Sequence, residues 1–270
     1  MSERTWYLGV TPEQVADRAI LVGDRARIDR VAARLDGVTT LNDDRGLWVV
    51  TGVYDGMPVT AAACGMGAPQ AAIVLHELQS LGAAIFLRLG TAMRLPPGGT
   101  GEFLLAEAAI RGESTSGSYV PAGYPACSDH QIQAVIRAEL STASLAWRAG
   151  MFASYDGFYT QMLALRQRDQ AAVAARVQEL CELGVLAVDM ETSAVLAIAR
   201  ALGARAASLC LATVAWEGAQ RMDEAQRSDA EDRLVDIGLA TLKALGLGTE
   251  PDGQLAGTTR LGPAGGAGAR

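Results

Sequence analysis

The run Phe86-Leu87-Arg88-Leu89-Gly90-Thr91 constrains this chain more than any other stretch. It reads as a buried β-strand that carries one arginine and ends in a glycine and a hydroxyl residue. An unpaired charge in a protein interior is very costly, so Arg88 must meet either a structural carboxylate or a ligand. Gly90 permits a close backbone turn, and Thr91 offers a hydroxyl and an N–H. At the carboxyl end of a strand, those groups suit a small anion. Taken alone, the run leaves both readings open.

The surrounding pattern sets the fold class. Apolar runs at 19–22, 48–54, 59–63, 85–89, 103–110 and 206–214 read as strands. Helical spacing appears at 25–35, 71–81, 131–140, 170–183, 192–202 and 229–245. Pro69 falls in the first turn of the second helix, where its missing N–H costs little. The alternation predicts an α/β fold. The chain has 270 residues, 50% of them hydrophobic, which is enough for one sizeable core over residues 1–247. Residues 248–270 are rich in Gly, Ala, Pro and Thr, and are expected to form a flexible tail. The Gly-, Ser- and Pro-rich stretch 112–130 reads as a long functional loop.

Several function classes fall away. The net charge of −7, with no basic run, argues against a general nucleic-acid binder. Cys64, Cys127, Cys181 and Cys210 form no CxxC pair, so neither a zinc site nor a disulfide framework is suggested, and buried free thiols are expected. His76 and His130 are the two histidines, and neither has the local context of a catalytic triad or a metal site. No apolar run reaches the length of a membrane span, and the start of the chain lacks a signal-peptide pattern, so a cytoplasmic protein is expected. Of 23 Lys and Arg residues only Lys243 is a lysine, which leaves cationic chemistry to arginine, the better bidentate phosphate ligand.

Three further constellations invite chemistry. Gly23-Asp24 lies between a strand and a helix, with Arg27 just inside that helix. Backbone N–H groups at a helix start bind anions, although an ordinary turn with a solvated Arg is the simpler account. Asp189-Met190-Glu191 precedes the helix at 192–202. Its spacing alone favours a helix cap; the alternative is a Glu191 carboxylate that accepts sugar hydroxyls, with Met190 against the sugar face. Phe158-Tyr159 sits in a turn-rich stretch as either core or a stacking platform for a flat base.

Taken in order, the motifs resemble the nucleoside phosphorylase superfamily, in particular its hexameric uridine phosphorylase and purine nucleoside phosphorylase branch. The residues that carry the likeness are Leu8-Gly9-Val10-Thr11, the segment from Val22 to Arg27, Arg45, Gly65-Met66-Gly67-Ala68-Pro69, Phe86 to Thr91, Asp156-Gly157-Phe158-Tyr159 and Asp189-Met190-Glu191. The wording is nearer the uridine branch. The resemblance implies a central mixed, partly barrel-like β-sheet flanked by helices. It implies phosphate-dependent cleavage of a nucleoside into free base and pentose 1-phosphate, with no cofactor and no metal. It assigns phosphate to Gly23, Arg27, Arg88 and Thr91, and to Arg45 from a neighbouring subunit. It assigns sugar and base contacts to Met190, Glu191 and Phe158. A homodimer or homohexamer with shared sites follows.

The sequence departs from that family at the base. Uridine-specific relatives carry Gln and Arg where this chain has Met162 and Ala164; Gln161 and Arg166 lie close by. Purine-cleaving relatives carry an Asp near Trp216, which is therefore expected at the base pocket. Tyr7 stands where the family places a neighbour-donated His that meets the sugar 5′-hydroxyl. The expectation is an intact phosphate and sugar site beside a rewritten base pocket, serving a uridine-like or modified base. The alternatives are a nucleosidase that uses water and a non-catalytic nucleoside-binding homologue.

Overall fold

The computed structural model describes residues 4–246, so the tail expected at 248–270 lies outside the described residues. The first half runs β1 (Arg18–Val22), α1 (Arg25–Ala32), β2 (Asp36–Asn42), β3 (Val49–Tyr54), β4 (Met57–Ala63), α2 (Ala68–Ser80), β5 (Ile85–Arg94) and β6 (Phe103–Gly112). Next come β7 (Ala126–Cys127), α3 (His130–Thr142), β8 (Trp147–Tyr155), α4 (Gln167–Glu182) and β9 (Val185–Asp189). The described chain ends with α5 (Thr192–Ala201), β10 (Arg205–Ala215), β11 (Gln220–Arg221) and α6 (Glu224–Ala244).

All eleven strands among the described residues join one mixed sheet. Strands β5, β10, β6, β8 and β9 close on themselves, because β10 pairs with both β6 and β5. The other arm runs out from β5 through β1, β4 and β3 to β2. The result is the barrel-like sheet flanked by helices that the resemblance implies. Strands β1 and β5 are buried along nearly their whole length, as continuous apolar runs in parallel pairing require. Helix α5 is buried from Thr192 to Ala199, between α2 and the barrel. No helix among the described residues is long and apolar enough to cross a membrane.

Strand β5 decides where a site can form. Its first half, Ile85–Leu89, pairs with β1, and Met93 and Arg94 pair with β9 on that same side. Between them, Gly90, Thr91 and Ala92 have no partner from either strand. β1 ends there, at Val22, and β9 ends there, at Asp189. A parallel sheet that changes neighbours opens a crevice at the strand ends, the usual place for a ligand in α/β proteins.

Five strands were not legible in the sequence: the two-residue β7 and β11, and β2, β8 and β9. β2 is largely exposed and β8 mixes polar and apolar residues, so neither has a buried-strand pattern. β9 is a five-residue run between two helices. β5 continues past Gly90, where the sequence suggested an end. The stretch 112–130 packs against α2 and α5 and lines no part of the crevice. Arg111 orders it, donating to the carbonyls of Pro121 at 2.7 Å and Tyr124 at 3.2 Å. Cys64 and Cys210 are buried free thiols, but Cys127 is exposed and Cys181 only half-buried.

Candidate active site

The crevice holds a cavity of about 500 Å³. Gly23, Arg27, Arg88, Gly90 and Thr91 line it together, as do Phe158, Met190 and Glu191. Strand β5, the first turn of α1, the loops after β1 and β9 and the turn that starts at Phe158 therefore bring seven of the expected residues, with Gly90, to one place.

Arg27 enters from the first turn of α1. Asp24 caps that helix, accepting from the Arg27 N–H at 3.0 Å, and its other oxygen accepts from Arg27 Nε at 2.9 Å. Burial pushes the Asp24 pKa up, but the Arg27 charge and hydrogen bonds outweigh it and hold the carboxyl below its usual value. Arg27 Nη1 donates to the Leu89 carbonyl at 3.1 Å, so the guanidinium is buried in the cavity wall and not solvated. A Cβ on Gly23 would stand 3.1 Å from Arg27 Nη2, which explains the glycine by close approach.

Arg88 is also buried, and it does meet carboxylates. Its Nη1 lies 3.0 Å from Asp189 Oδ2, and its Nη2 pairs with Glu191 Oε2. Nη1 also approaches Thr192 Oγ1 and Ser208 Oγ, both at 3.3 Å, and Cys210 Sγ at 2.9 Å. Burial alone would push the Arg88 pKa down. The negative groups around it, the Asp189 and Glu191 carboxylates among them, reverse that and hold it well above its ordinary value. Burial also pushes the Cys64 thiol up to about 12, and drives Cys210 up as well, so both thiols stay protonated.

The two carboxylates of Asp189-Met190-Glu191 divide the work the sequence left undecided. Asp189 caps α5: its oxygens accept from the Thr192 N–H at 3.2 and 3.3 Å, and Ser154 Oγ donates to it at 2.6 Å. Glu191 makes no capping bond, against the preference its spacing suggested. Its Oε1 instead accepts from the Gly67 N–H at 2.5 Å, while Oε2 faces Arg88. A Glu held from two sides keeps one orientation. Asp189 was not singled out as a site residue; an Asp three positions before a helical Thr is the signal that marks it.

The opposite wall is apolar. Phe158 and Tyr159 stand edge to face, with ring centroids 4.9 Å apart, on a π-helical turn spanning Phe158–Met162. Such turns gather at functional sites. The cavity thus joins an arginine-rich end, a fixed carboxylate and a flat apolar chamber.

The family model described as the phosphorylase superfamily matches residues 17–243. The chain belongs to that superfamily. It is similar to uridine phosphorylase of Thermococcus kodakarensis, at 29% identity over 208 residues, which cover 76% of this chain and 75% of that protein. Guanosine phosphorylase of Halorubrum lacusprofundi is 30% identical over 247 residues, covering 88% of this chain and 98% of its own. The crystal structure of uridine phosphorylase from Vibrio fischeri has a TM-score of 0.81 at 29% identity, over 90% of this chain and 98% of that one. This phosphorylase-superfamily chain therefore sits among nucleoside phosphorylases, nearer the uridine enzymes, as its motifs implied.

Not every expected residue reaches the cavity of this superfamily member. Trp216 does not line it. Its N–H donates to the Arg94 carbonyl at 2.9 Å, and its ring packs on the cluster that contains Met93 and Leu95. Met162 lines the chamber, whereas Ala164 packs behind it. Gln161 spends its carbonyl on the Gly157 N–H at 2.8 Å, and Arg166 is exposed beside Asp169. Tyr7 and Arg45 are exposed and lie off this chain's own cavity. Tyr7 is anchored by its backbone N–H, which donates to Glu77 Oε1 at 2.8 Å. Arg45 sits at φ 54°, in the left-handed region, on the turn between β2 and β3. Sequence reasoning missed Arg221, which does line the chamber.

Proposed function

We infer that this chain is a nucleoside phosphorylase that transfers the pentose of a uridine-like or modified nucleoside from its base to phosphate. One observation carries the reading: Arg27 and Arg88 converge beside Leu89-Gly90 at one end of a cavity whose middle holds the Glu191 carboxylate.

Phosphate at the Gly23, Arg27, Arg88 and Thr91 end would be held in line with the anomeric carbon. Positioning of this kind removes much of the entropic barrier to a two-substrate reaction. As the bond to the base breaks, positive charge develops on the sugar, and the bound anion stabilises it. Glu191 accepts hydrogen bonds from the sugar hydroxyls and adds negative charge on the same side. Met190 packs on the sugar and Phe158 on the base. No step requires a cofactor or metal in this reading.

The reading extends to assembly. Tyr7 and Arg45 would complete the site of an adjoining subunit, which makes a dimer the smallest unit with complete sites and a hexamer the full assembly. Exposed Trp6 and Met66 suit such an interface. A fully active monomer would contradict it. A cytoplasmic location accords with free thiols and intracellular substrates.

The deciding experiment is release of free base from a panel of nucleosides with and without phosphate. Base release that requires phosphate, with pentose 1-phosphate as the second product, is the expected result. Equal rates in phosphate-free buffer would move the chain to the water-using nucleosidases. Binding without turnover across the panel would make it a non-catalytic homologue.

A further inference from the structure

We propose that Arg221 is the specificity-determining residue of the base chamber, and that it selects bases presenting a carbonyl oxygen at their far edge over those presenting an amino group. The proposal rests on the phosphorylase reading and adds to it the class of base.

The argument begins with strand register. Met93 of β5 pairs with Val188 of β9 on one side and with Val214 of β10 on the other. Val214 in turn pairs with Arg221 of β11. Directly paired residues on neighbouring strands stand side by side on one face of a sheet. Val188, Met93, Val214 and Arg221 therefore form one row, and all four line the cavity. The row starts beside Asp189 and Glu191 and ends at Arg221, far from the carboxylate. A nucleoside with its phosphate-facing side at Arg88 and its sugar at Glu191 has its base along this row, opposite Phe158 and Tyr159, and its outer edge at Arg221.

The chemistry of that edge is one-sided. Val188, Met93, Val214 and Met162 offer no hydrogen bonds. Thr213 and Tyr159 are the other polar side chains near this end, and each hydroxyl can both donate and accept. Arg221 differs from both, because a guanidinium carries five donors and no acceptor. It rewards a carbonyl oxygen and offers nothing to an exocyclic amino group.

Arg221 is also available. Among the described residues its guanidinium makes no hydrogen bond and no ion pair. It separates the chamber from a second cavity of about 530 Å³ that Arg30 and Arg227 also line. Those two arginines are engaged: Arg30 lies 2.6 Å from Asp232, and Arg227 lies 2.8 Å from Glu231. A solvated, unpaired guanidinium at the rim of an apolar chamber gains when a base excludes water and accepts its hydrogen bond. The same contact draws off negative charge as the base departs.

The test pairs uracil with cytosine and hypoxanthine with adenine. Free-base binding is measured by calorimetry in phosphate buffer, alongside phosphorolysis of the four ribonucleosides. The wild-type chain is expected to bind uracil and hypoxanthine more tightly than their amino counterparts. Arg221→Met is expected to weaken the oxo bases by about 10- to 100-fold, the range for a hydrogen bond to a charged group, and to leave the amino bases within about twofold. Arg221→Lys should restore part of the preference. Arg221 is exposed on a two-residue edge strand, so the variants should melt like the wild type. Equal wild-type binding of oxo and amino bases would overturn the proposal, as would an equal loss for both in Arg221→Met. An intact base preference without any turnover would sink the phosphorylase reading alone.

Discussion

The guanidinium of Arg88 lies directly against the α-carbon of Gly90, two residues further along β5: a Cβ at Gly90 would stand 2.6 Å from Arg88 Cζ. The arginine cannot swing aside cheaply, because Asp189, Glu191, Thr192 and Ser208 hold it. Gly90 is there to give the side chain room to lie flat in the crevice. Its role follows from contact and not from backbone conformation.

Gly90→Ala tests that relationship. Overpacking should cost about 1–3 kcal/mol and lower the melting temperature by several degrees. The displaced guanidinium should raise the KM for phosphate by about 10-fold or more. Differential scanning fluorimetry and phosphate titration of the steady-state rate measure both. An unchanged melting temperature with unchanged phosphate KM would show that Arg88 is free to move.

Glu191→Gln separates charge from shape. A glutamine oxygen can still accept from the Gly67 N–H, so the side chain should keep its place. Asp189 continues to neutralise Arg88. The loss of negative charge beside the developing sugar cation should lower kcat by about 100-fold, comparable to removing one electrostatic stabiliser elsewhere. The KM for phosphate should change little. A variant with near-normal kcat would remove Glu191 from the chemistry and leave it the structural role of holding Arg88 and the Gly67 N–H.

Asp129 carries an acid-side prediction. Burial pushes its carboxyl pKa up, but hydrogen bonds from Arg205 and from the N–H groups of Ile132 and Gln131 bring it below the usual value. The Asp129 carboxylate lies 2.8 Å from Arg205 Nη2 and joins the start of α3 to β10. A group with a lowered folded pKa stabilises the fold above its unfolded pKa, and loses that contribution as pH falls through the folded value. Asp129→Asn should therefore lose about 1 kcal/mol near neutrality, about 2–4 °C in melting temperature. The gap to wild type should shrink as pH falls below about 4. A gap that stays constant down to about pH 2.5 would disprove the ionic origin of the contribution.

Much of the arginine-rich end of the cavity and its carboxylate was readable because it is written in local motifs. Gly23 through Arg27, Phe86 through Thr91 and Met190-Glu191 each combine residues that nearly adjoin in the chain, at strand or helix ends where anions and hydroxyls are commonly held. The apolar chamber was not readable in the same way. Trp216 was expected there from its place after β10, but the chain turns at that residue and its ring packs on the cluster that contains Met93 and Leu95 without lining the cavity. Arg221 sits in an unremarkable stretch of surface residues. Only the antiparallel pairing of β11 with β10 brings it beside Val214.

Two kinds of information are therefore separated in this protein. Local sequence determined the α/β class, the buried arginine of β5, the arginine at the start of α1 and the family to which they belong, since each depends on neighbours a few residues apart. Tertiary structure alone decided the closure of the barrel, the gap left where β5 changes partner, the division of labour between Asp189 and Glu191, and the arginine that borders the apolar chamber. Those features arise from pairings between strands 120 residues apart, as in Leu87 beside Ala207 and Arg88 beside Ser208. No periodicity within a single segment encodes such a register, because it is set by which apolar faces can be buried together once the whole sheet has formed.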